Sequence, residues 1–298
     1  MNTQIETIIN ARRPGLAPLT INCNARHILR LYQHIYPDDQ IFDVTKLENT
    51  PIELITEYID TKGLPTRKNI ASSMGYIKSH VVYKRYILEC GNSYRDRVNA
   101  HIPSDRDLTS IVTPEILSEV DARLLDDYTK TYVDGVVAYS KKDFKKLTNY
   151  ITFQLVSGLH IPPRRSLDWV AMKVKNIDPL LDNYMDGDVF VFNRYKTDKI
   201  YGQQRISVPP KLLEILAQWQ LINPYEYLIP TVLGRMYQVS NFYETINSFM
   251  HTAKGSGTNK FRKGYLQNKF GSMTSIADTM ADMGSSPGVL NSYITRLA

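Results

Sequence analysis

Arg262 stands in the run Gly257-Thr258-Asn259-Lys260-Phe261-Arg262-Lys263-Gly264-Tyr265, and Tyr293 follows it near the end of the sequence. An arginine held on a buried helix presents a planar fork of N–H donors that pairs bidentately with phosphate oxygens. A tyrosine offers a phenol oxygen as a nucleophile. Upstream, Lys196 sits in Phe192-Asn193-Arg194-Tyr195-Lys196-Thr197, followed by Asp198-Lys199-Ile200-Tyr201-Gly202, a polar turn between two apolar runs. Lysine, arginine and tyrosine in that order are a toolkit for attacking a DNA phosphodiester without a metal or any other cofactor. The chain holds 20 tyrosines, so Tyr293 has to be argued from its surroundings rather than from its type.

Such residues need elements to hold them. Ile21, Ala25, Ile28, Tyr32 and Ile35 recur at helical spacing, and Pro37-Asp38-Asp39 ends the run. A second helix is expected from near Pro51. A third is expected over 66–88, with Ile70, Met74, Ile77 and Val81 on one face and Lys68, Lys78, Lys84 and Arg85 elsewhere. Those basic residues read as a solvated face or as phosphate contacts. Residues 91–110, rich in Asn, Arg, Asp and Ser, read as a linker, which puts a domain boundary near residue 110.

The second domain, 111–298, opens with Thr113-Pro114-Glu115, an N-cap followed by proline at the first helical position. Another helix carries Phe144, Leu147, Ile151 and Leu155 on one face and stops at Gly158. The period then changes. Residues 170–177, 189–195 and 203–208 read as three short strands, the last two joined through 198–202. Pro209-Pro210 ends the sheet, Leu212, Leu213, Leu216 and Trp219 begin a helix packed on it, and helical segments continue past a break at Gly255-Ser256-Gly257. The fold class is therefore α+β, mostly α: a helical N-terminal domain and a mixed domain with a small antiparallel three-stranded sheet.

Composition is compatible with this chemistry without selecting it. The 298 residues suffice for two cores, and Lys+Arg 36 against Asp+Glu 30 leaves a net charge of +6, a bias shared by many proteins that never meet nucleic acid. Cys23 and Cys90 lie far apart with no metal-ligand spacing, so buried free thiols in a reducing compartment are expected, with neither disulfide nor zinc. The N-terminus lacks an apolar signal-like core, and no apolar run nears the roughly 20 residues that span a bilayer. A soluble intracellular protein is expected.

The motifs then become specific. Ser157-Gly158-Leu159-His160-Ile161, followed by Leu167-Asp168-Trp169, resembles the first conserved box of the tyrosine recombinases, or phage integrases, which reads Thr-Gly-Leu-Arg-Ile and then Leu-x-Trp at the same spacing. His160 stands where that box has its catalytic arginine. Pro162-Pro163-Arg164-Arg165 follows at once, and this Pro-Pro-x-Arg form is similar to that of divergent recombinases of large eukaryotic DNA viruses and mobile elements. On that comparison Arg165 matches the catalytic arginine and Arg164 is its rival, one helical turn from His160. The structural alternative leaves both arginines on the surface, contacting phosphates or acids.

Lys196 matches the recombinase lysine on the hairpin between the second and third strands, with Lys199 as the fallback; the resemblance makes it the general acid that protonates the departing 5′ oxygen. Asn259-Lys260-Phe261-Arg262 resembles the second box, His-x-x-Arg, with Arg262 as the second arginine and Asn259 in the histidine position, able to hydrogen-bond but not to do acid–base work. Met283-Gly284-Ser285-Ser286 resembles the Leu-Gly-His-Ser that precedes the nucleophile, with Ser285 in place of the second histidine and Tyr293 nine residues after the glycine. The alternative for Tyr293 is a packing aromatic beside Val289, Leu290 and Leu297.

The resemblance implies a catalytic set of Tyr293, Arg262, Lys196, Arg165, Arg164, Asn259 and Ser285, with no metal and no cofactor. It implies attack by Tyr293 on DNA to give a 3′-phosphotyrosine and a free 5′-hydroxyl, so that rejoining needs no ATP. Residues 1–110 would be a core-binding domain and 111–298 the catalytic domain, together clamping double-stranded DNA through its phosphates. Strand exchange implies a homotetramer on paired DNA sites, located where DNA is: a host nucleus or a viral replication site if the chain is viral. Ile294 to Ala298 follow the tyrosine, so the exchanged C-terminal helix of the family is expected to be absent. Two alternatives share the fold. One is a DNA-binding protein with weakened catalysis, motivated by Asn259, Ser285 and His160, and the other a type IB topoisomerase-like enzyme.

Overall fold

The computed structural model describes residues 1–99, 112–133, 139–250, 257–269 and 283, and the chain divides into two compact units, Met1–Ala100 and His101–Ala298. The first unit is helical: α1 (Asn2–Arg12), α2 (Pro18–Ile35), α3 (Val44–Glu48), α4 (Ile52–Asp60), α5 (Leu64–Met74) and α6 (Val81–Asn99). Pro18 starts α2, where its fixed φ suits a first turn and its missing N–H costs nothing. The helix then turns Ala25, Ile28, Leu31 and Tyr32 inward, onto a core that includes Ile9, Leu47, Ile59, Ile70 and Met74.

Three expectations about this unit need correction. The helix expected over 66–88 is two helices, because α5 stops at Met74 with Gly75 as its C-cap, and the Ile77 and Lys78 amides both turn back to the Met74 carbonyl. Glycine has the weakest hold on helical backbone, and the chain restarts only at Val81, which is exposed rather than on the apolar face. Residues 91–99, read as linker, continue α6, which is exposed all round over 92–96. The cysteines are not both buried, since Cys23 lies on the outer side of α2 and Cys90 is half-buried.

The second unit begins as the caps dictate. In α7 (Pro114–Thr131) the Thr113 hydroxyl accepts from the Ile116 amide at 3.4 Å, and in α8 (Lys141–Val156) the Ser140 hydroxyl accepts from the Asp143 amide at 3.2 Å. Helix α8 is buried on nearly every side towards its C-terminal end, so it forms the spine of the unit. After it come α9 (Ser166–Val170), β1 (Met172–Lys173), β2 (Asn183–Asp186), β3 (Val189–Phe192), α10 (Asp198–Tyr201), β4 (Gln204–Ser207), α11 (Pro210–Ile222), α12 (Val239–Phe249) and α13 (Thr258–Lys269).

The sheet is mixed and four-stranded rather than antiparallel and three-stranded. Its order is β1-β2-β3-β4, with β1 and β2 parallel and the remaining pairs antiparallel, in the register Tyr184↔Val191 and Phe190↔Ile206. The strand expected over 170–177 shrinks to Met172–Lys173 because α9 takes Val170 at one end, and at the other the Val174 and Lys175 amides turn to the Glu226 carbonyl before Asn176 at φ 53°. Strand β2 gives no periodic strand signal in the sequence because Asn-Tyr-Met-Asp does not alternate apolar with polar residues. Its signal was the turn after it, where Gly187 adopts φ 58° in the two-residue link to Val189. Phe190 and Phe192 point to one face of β3 and meet the edge of the buried Trp169 ring, with centroids 5.2 and 5.5 Å away. Trp219 of α11 is also buried and donates its indole N–H to the Leu228 carbonyl at 2.8 Å. Among the described residues no helix is long and apolar enough to cross a membrane.

Candidate active site

The chain leaves α8 through Gly158 at φ 89°, a left-handed conformation, and a Cβ there would lie 3.0 Å from the Tyr265 ring and 3.3 Å from Pro163. Residues 157–161 bend and 162–165 are not helical, as two successive prolines favour, with Arg165 in extended backbone. His160 and Arg164 are therefore not one helical turn apart, which corrects that expectation. His160 instead donates Nε2–H to the Gln154 side-chain oxygen at 2.7 Å, and the Gln154 amide donates to Asp121 at 2.5 Å. Burial, helped by the Lys211 charge, holds the His160 imidazole below its ordinary pKa.

Arg164 is fully buried, which removes the surface alternative for this arginine. Its Nε donates to Asp168 Oδ2 at 3.0 Å and its Nη1 to the Gln204 side-chain oxygen at 2.8 Å. Its guanidinium carbon lies 4.0 Å from the Phe192 ring centroid and 5.0 Å from that of Tyr195. Arg165, the N-cap of α9, is half-buried. The carboxyl that organises this region is Asp168, itself fully buried. Burial pushes its pKa up, while the positive charges of Arg164, Arg165 and Arg262 all act on it in the opposite direction.

Helix α13 carries Arg262, whose charge acts on that carboxylate. The Ser166 and Thr258 hydroxyls share a hydrogen bond at 3.1 Å, fastening the start of α9 to the start of α13 across 92 residues of sequence. Gly264 faces the Val112 carbonyl so closely that any Cβ would overlap it. Arg262 is 1% exposed and donates Nη2–H to the Met283 carbonyl at 3.4 Å, which ties Met283 to the arginine. Asn259, in the histidine position, is exposed. Ser285 and Tyr293 lie outside the described residues.

Lys260, beside Arg262 in sequence, was not singled out by its motif and is 1% exposed; burial lowers its pKa to about 8. In an unfolded chain a lysine titrates near 10.4. Between those values the unfolded state binds more protons than the folded one, so this residue makes stability rise with pH from about 8 to about 10.4. Lys260→Met is expected to stabilise the protein at pH 7 by up to about 3 kcal/mol and to flatten that rise, as read from urea midpoints at pH 7.5 and 9.5.

Lys196 occupies the connection from β3 to β4, the third and fourth strands rather than the second and third, and it is exposed; Lys199, on α10, is also exposed. The connection itself is fixed by a residue that periodicity did not reveal. Buried Asn183 accepts from the Asn193 and Arg194 amides at 2.9 and 2.8 Å, and donates to the Arg194 and Asp168 carbonyls at 2.8 and 3.1 Å. The Tyr195 hydroxyl closes the loop on the Gly202 carbonyl at 2.8 Å. Asn183→Ala would orphan several buried backbone groups, and a loss of about 2–4 kcal/mol of stability is expected in urea unfolding.

No family model matches the sequence, and no curated protein does. Solved structures do match. A lambda integrase dimer bound to a COC′ core site shares 14% identity with this chain, covering 98% of it and 75% of the integrase chain, at a TM-score of 0.56. The corresponding dimer of integrase residues 75–356 covers 98% of this chain and 93% of its own at 14% identity and a TM-score of 0.54. A lambda integrase tetramer bound to a Holliday junction matches at 13% identity over 99% and 76% of the two chains, TM-score 0.53. The fold of this chain is that of the tyrosine recombinases.

Proposed function

We propose that this chain is a site-specific DNA recombinase, of the virus or mobile-element type suggested by Pro162-Pro163-x-Arg165, that breaks and rejoins DNA through a phosphotyrosine on Tyr293. The observation that supports the reading is that arginines of two motifs act on one buried carboxylate, Asp168. Arg164 and Arg165 from the first box and Arg262 from the second act on its carboxylate, and Arg262 bonds to Met283, at the head of the third. The fold shared with DNA-bound integrases supports it.

In this reading Arg165 and Arg262 hold the non-bridging oxygens of one phosphate, and their forked donors stabilise the extra charge of the five-coordinate transition state. Arg165 is assigned this part because it is half-buried and holds the arginine position of the Pro-Pro-x-Arg box, while Arg164 already spends Nε and Nη1 on Asp168 and Gln204. The Tyr293 oxygen forms the new bond to phosphorus, the bond from phosphorus to the 5′ oxygen breaks, and the phenol proton passes to solvent. Lys196 delivers a proton to the departing oxygen. A phosphodiester is exchanged for a phosphodiester, so a second 5′-hydroxyl can reverse the step on a new strand without ATP.

Residues 1–110 would form the core-binding domain and 111–298 the catalytic domain. The exposed Lys68, Lys84 and Arg85 would contribute phosphate contacts from the first, and a homotetramer would assemble on paired double-stranded sites. A second reading, a DNA-binding protein with weakened catalysis, is favoured by the exposed Asn259 and by the engagement of His160 with Gln154. The two are separated by incubating the protein with nicked duplexes, drawn from the DNA flanking its own gene and from a random-sequence pool, then denaturing. A covalent protein–DNA adduct supports the recombinase. Duplex binding with no adduct across the pool supports the binding protein.

A further inference from the structure

We infer that Arg164 is a positioning residue for Lys196, acting as the pin that fixes the β3–β4 connection against the arginine cluster. The inference rests on the reading of Lys196 as general acid. A fully buried guanidinium is expensive to desolvate, and apolar side chains of similar volume serve a core at least as well. Its contacts indicate what it does there. One edge of its fork is held by Asp168 on α9, three residues beyond Arg165. Another donor reaches Gln204, the first residue of β4, while the guanidinium lies against Phe192, the last residue of β3, and against Tyr195, the neighbour of Lys196.

Both ends of the connection and the residue next to Lys196 therefore meet one rigid planar group. Tyr195 is locked in turn by its bond to the Gly202 carbonyl, which closes the segment holding Lys196. Arg164 has Nε on Asp168, Nη1 on Gln204 and its plane against Phe192 and Tyr195, so its effect on a phosphate in the site would pass through the lysine's loop. A shift of an ångström in a proton donor suffices to lose most of its contribution.

The test separates proton delivery from phosphate binding. A duplex that wild type cleaves is made in two forms, one with the ordinary 5′ oxygen at the cleaved phosphate and one with sulfur in that bridging position. Sulfur departs as a thiolate and needs no proton. On the oxygen substrate, Lys196→Ala is expected to be slower by about 10²-fold or more, with Arg164→Met and Gln204→Leu slower by at least about tenfold. On the sulfur substrate all three should return to within a few-fold of wild type, while Arg262→Lys stays slow on both. Gln204→Leu keeps the Arg164–Asp168 pair, so the test stands even if Arg164→Met does not fold. The inference is overturned if Lys196→Ala is rescued by sulfur but Gln204→Leu and any folded Arg164→Met are not, or if they cleave the oxygen substrate at the wild-type rate. Failure of sulfur to rescue Lys196→Ala would instead overturn the reading of Lys196 as the acid.

Discussion

Arg262→Lys is expected to form covalent adduct about 10²–10³-fold more slowly than wild type, while binding duplex DNA within a few-fold. The substitution keeps one positive charge but replaces a flat fork with a flexible point donor, which cannot pair two donors with phosphate oxygens in fixed geometry. The setting of Arg262 sharpens the expectation. It is 1% exposed, its Nη2 is engaged by the Met283 carbonyl, and its charge acts on Asp168, so its orientation is set before DNA arrives. Duplex affinity depends on many phosphate contacts and changes little when one is weakened. Single-turnover adduct formation at saturating protein measures the loss, and a filter-binding or gel-shift titration provides the control.

Arg165→Ala and Arg164→Ala should fail in different ways despite their adjacency. Arg165 is half-buried and carries the phosphate in the proposed mechanism, so its loss should slow adduct formation by about 10²–10³-fold and leave the urea midpoint nearly unchanged. Arg164 pairs with Asp168 where neither side chain sees solvent. Removing Arg164 takes away a hydrogen-bonded ion-pair partner of this buried carboxylate and leaves the charges of Arg165 and Arg262 acting on it, at a cost of up to about 3–5 kcal/mol in stability. Equilibrium unfolding of both variants beside their cleavage rates separates the two arginines.

Much of the scaffold around these residues could be read from the chain. The period of Phe144, Leu147, Ile151 and Leu155, the cap at Thr113 and the stop at Gly158 each correspond to a feature of α7 or α8. Failures came where local pattern and three-dimensional context diverge. A polar run such as 92–96 is equally suited to a linker and to a helix end solvated all round, and β2 has no alternation because its anchor, Asn183, is buried for its hydrogen bonds.

The site divides in the same way. Arg165, Arg262 and Lys196 stood out by type and spacing, and Asp168 was visible only as the variable position between Leu167 and Trp169. Its importance arises from the charges of arginines far apart in sequence acting on one buried carboxylate, which no local pattern encodes. The burial of Lys260 was hidden for a related reason. It lies among Asn259, Arg262 and Lys263, a stretch with the composition of a surface, yet α13 is enclosed on most sides. His160 drew attention by standing in the arginine position of the first box, but its ring bonds to Gln154 on α8.

The most direct test of the account is to digest the covalent adduct and identify which residue carries the nucleotide and through which end. The account predicts one modified peptide, containing Tyr293 linked to a 3′-phosphate, with a free 5′-hydroxyl on the released strand and no adduct from Tyr293→Phe. Linkage to any other residue, linkage through a 5′-phosphate, or an adduct that persists in Tyr293→Phe would contradict it.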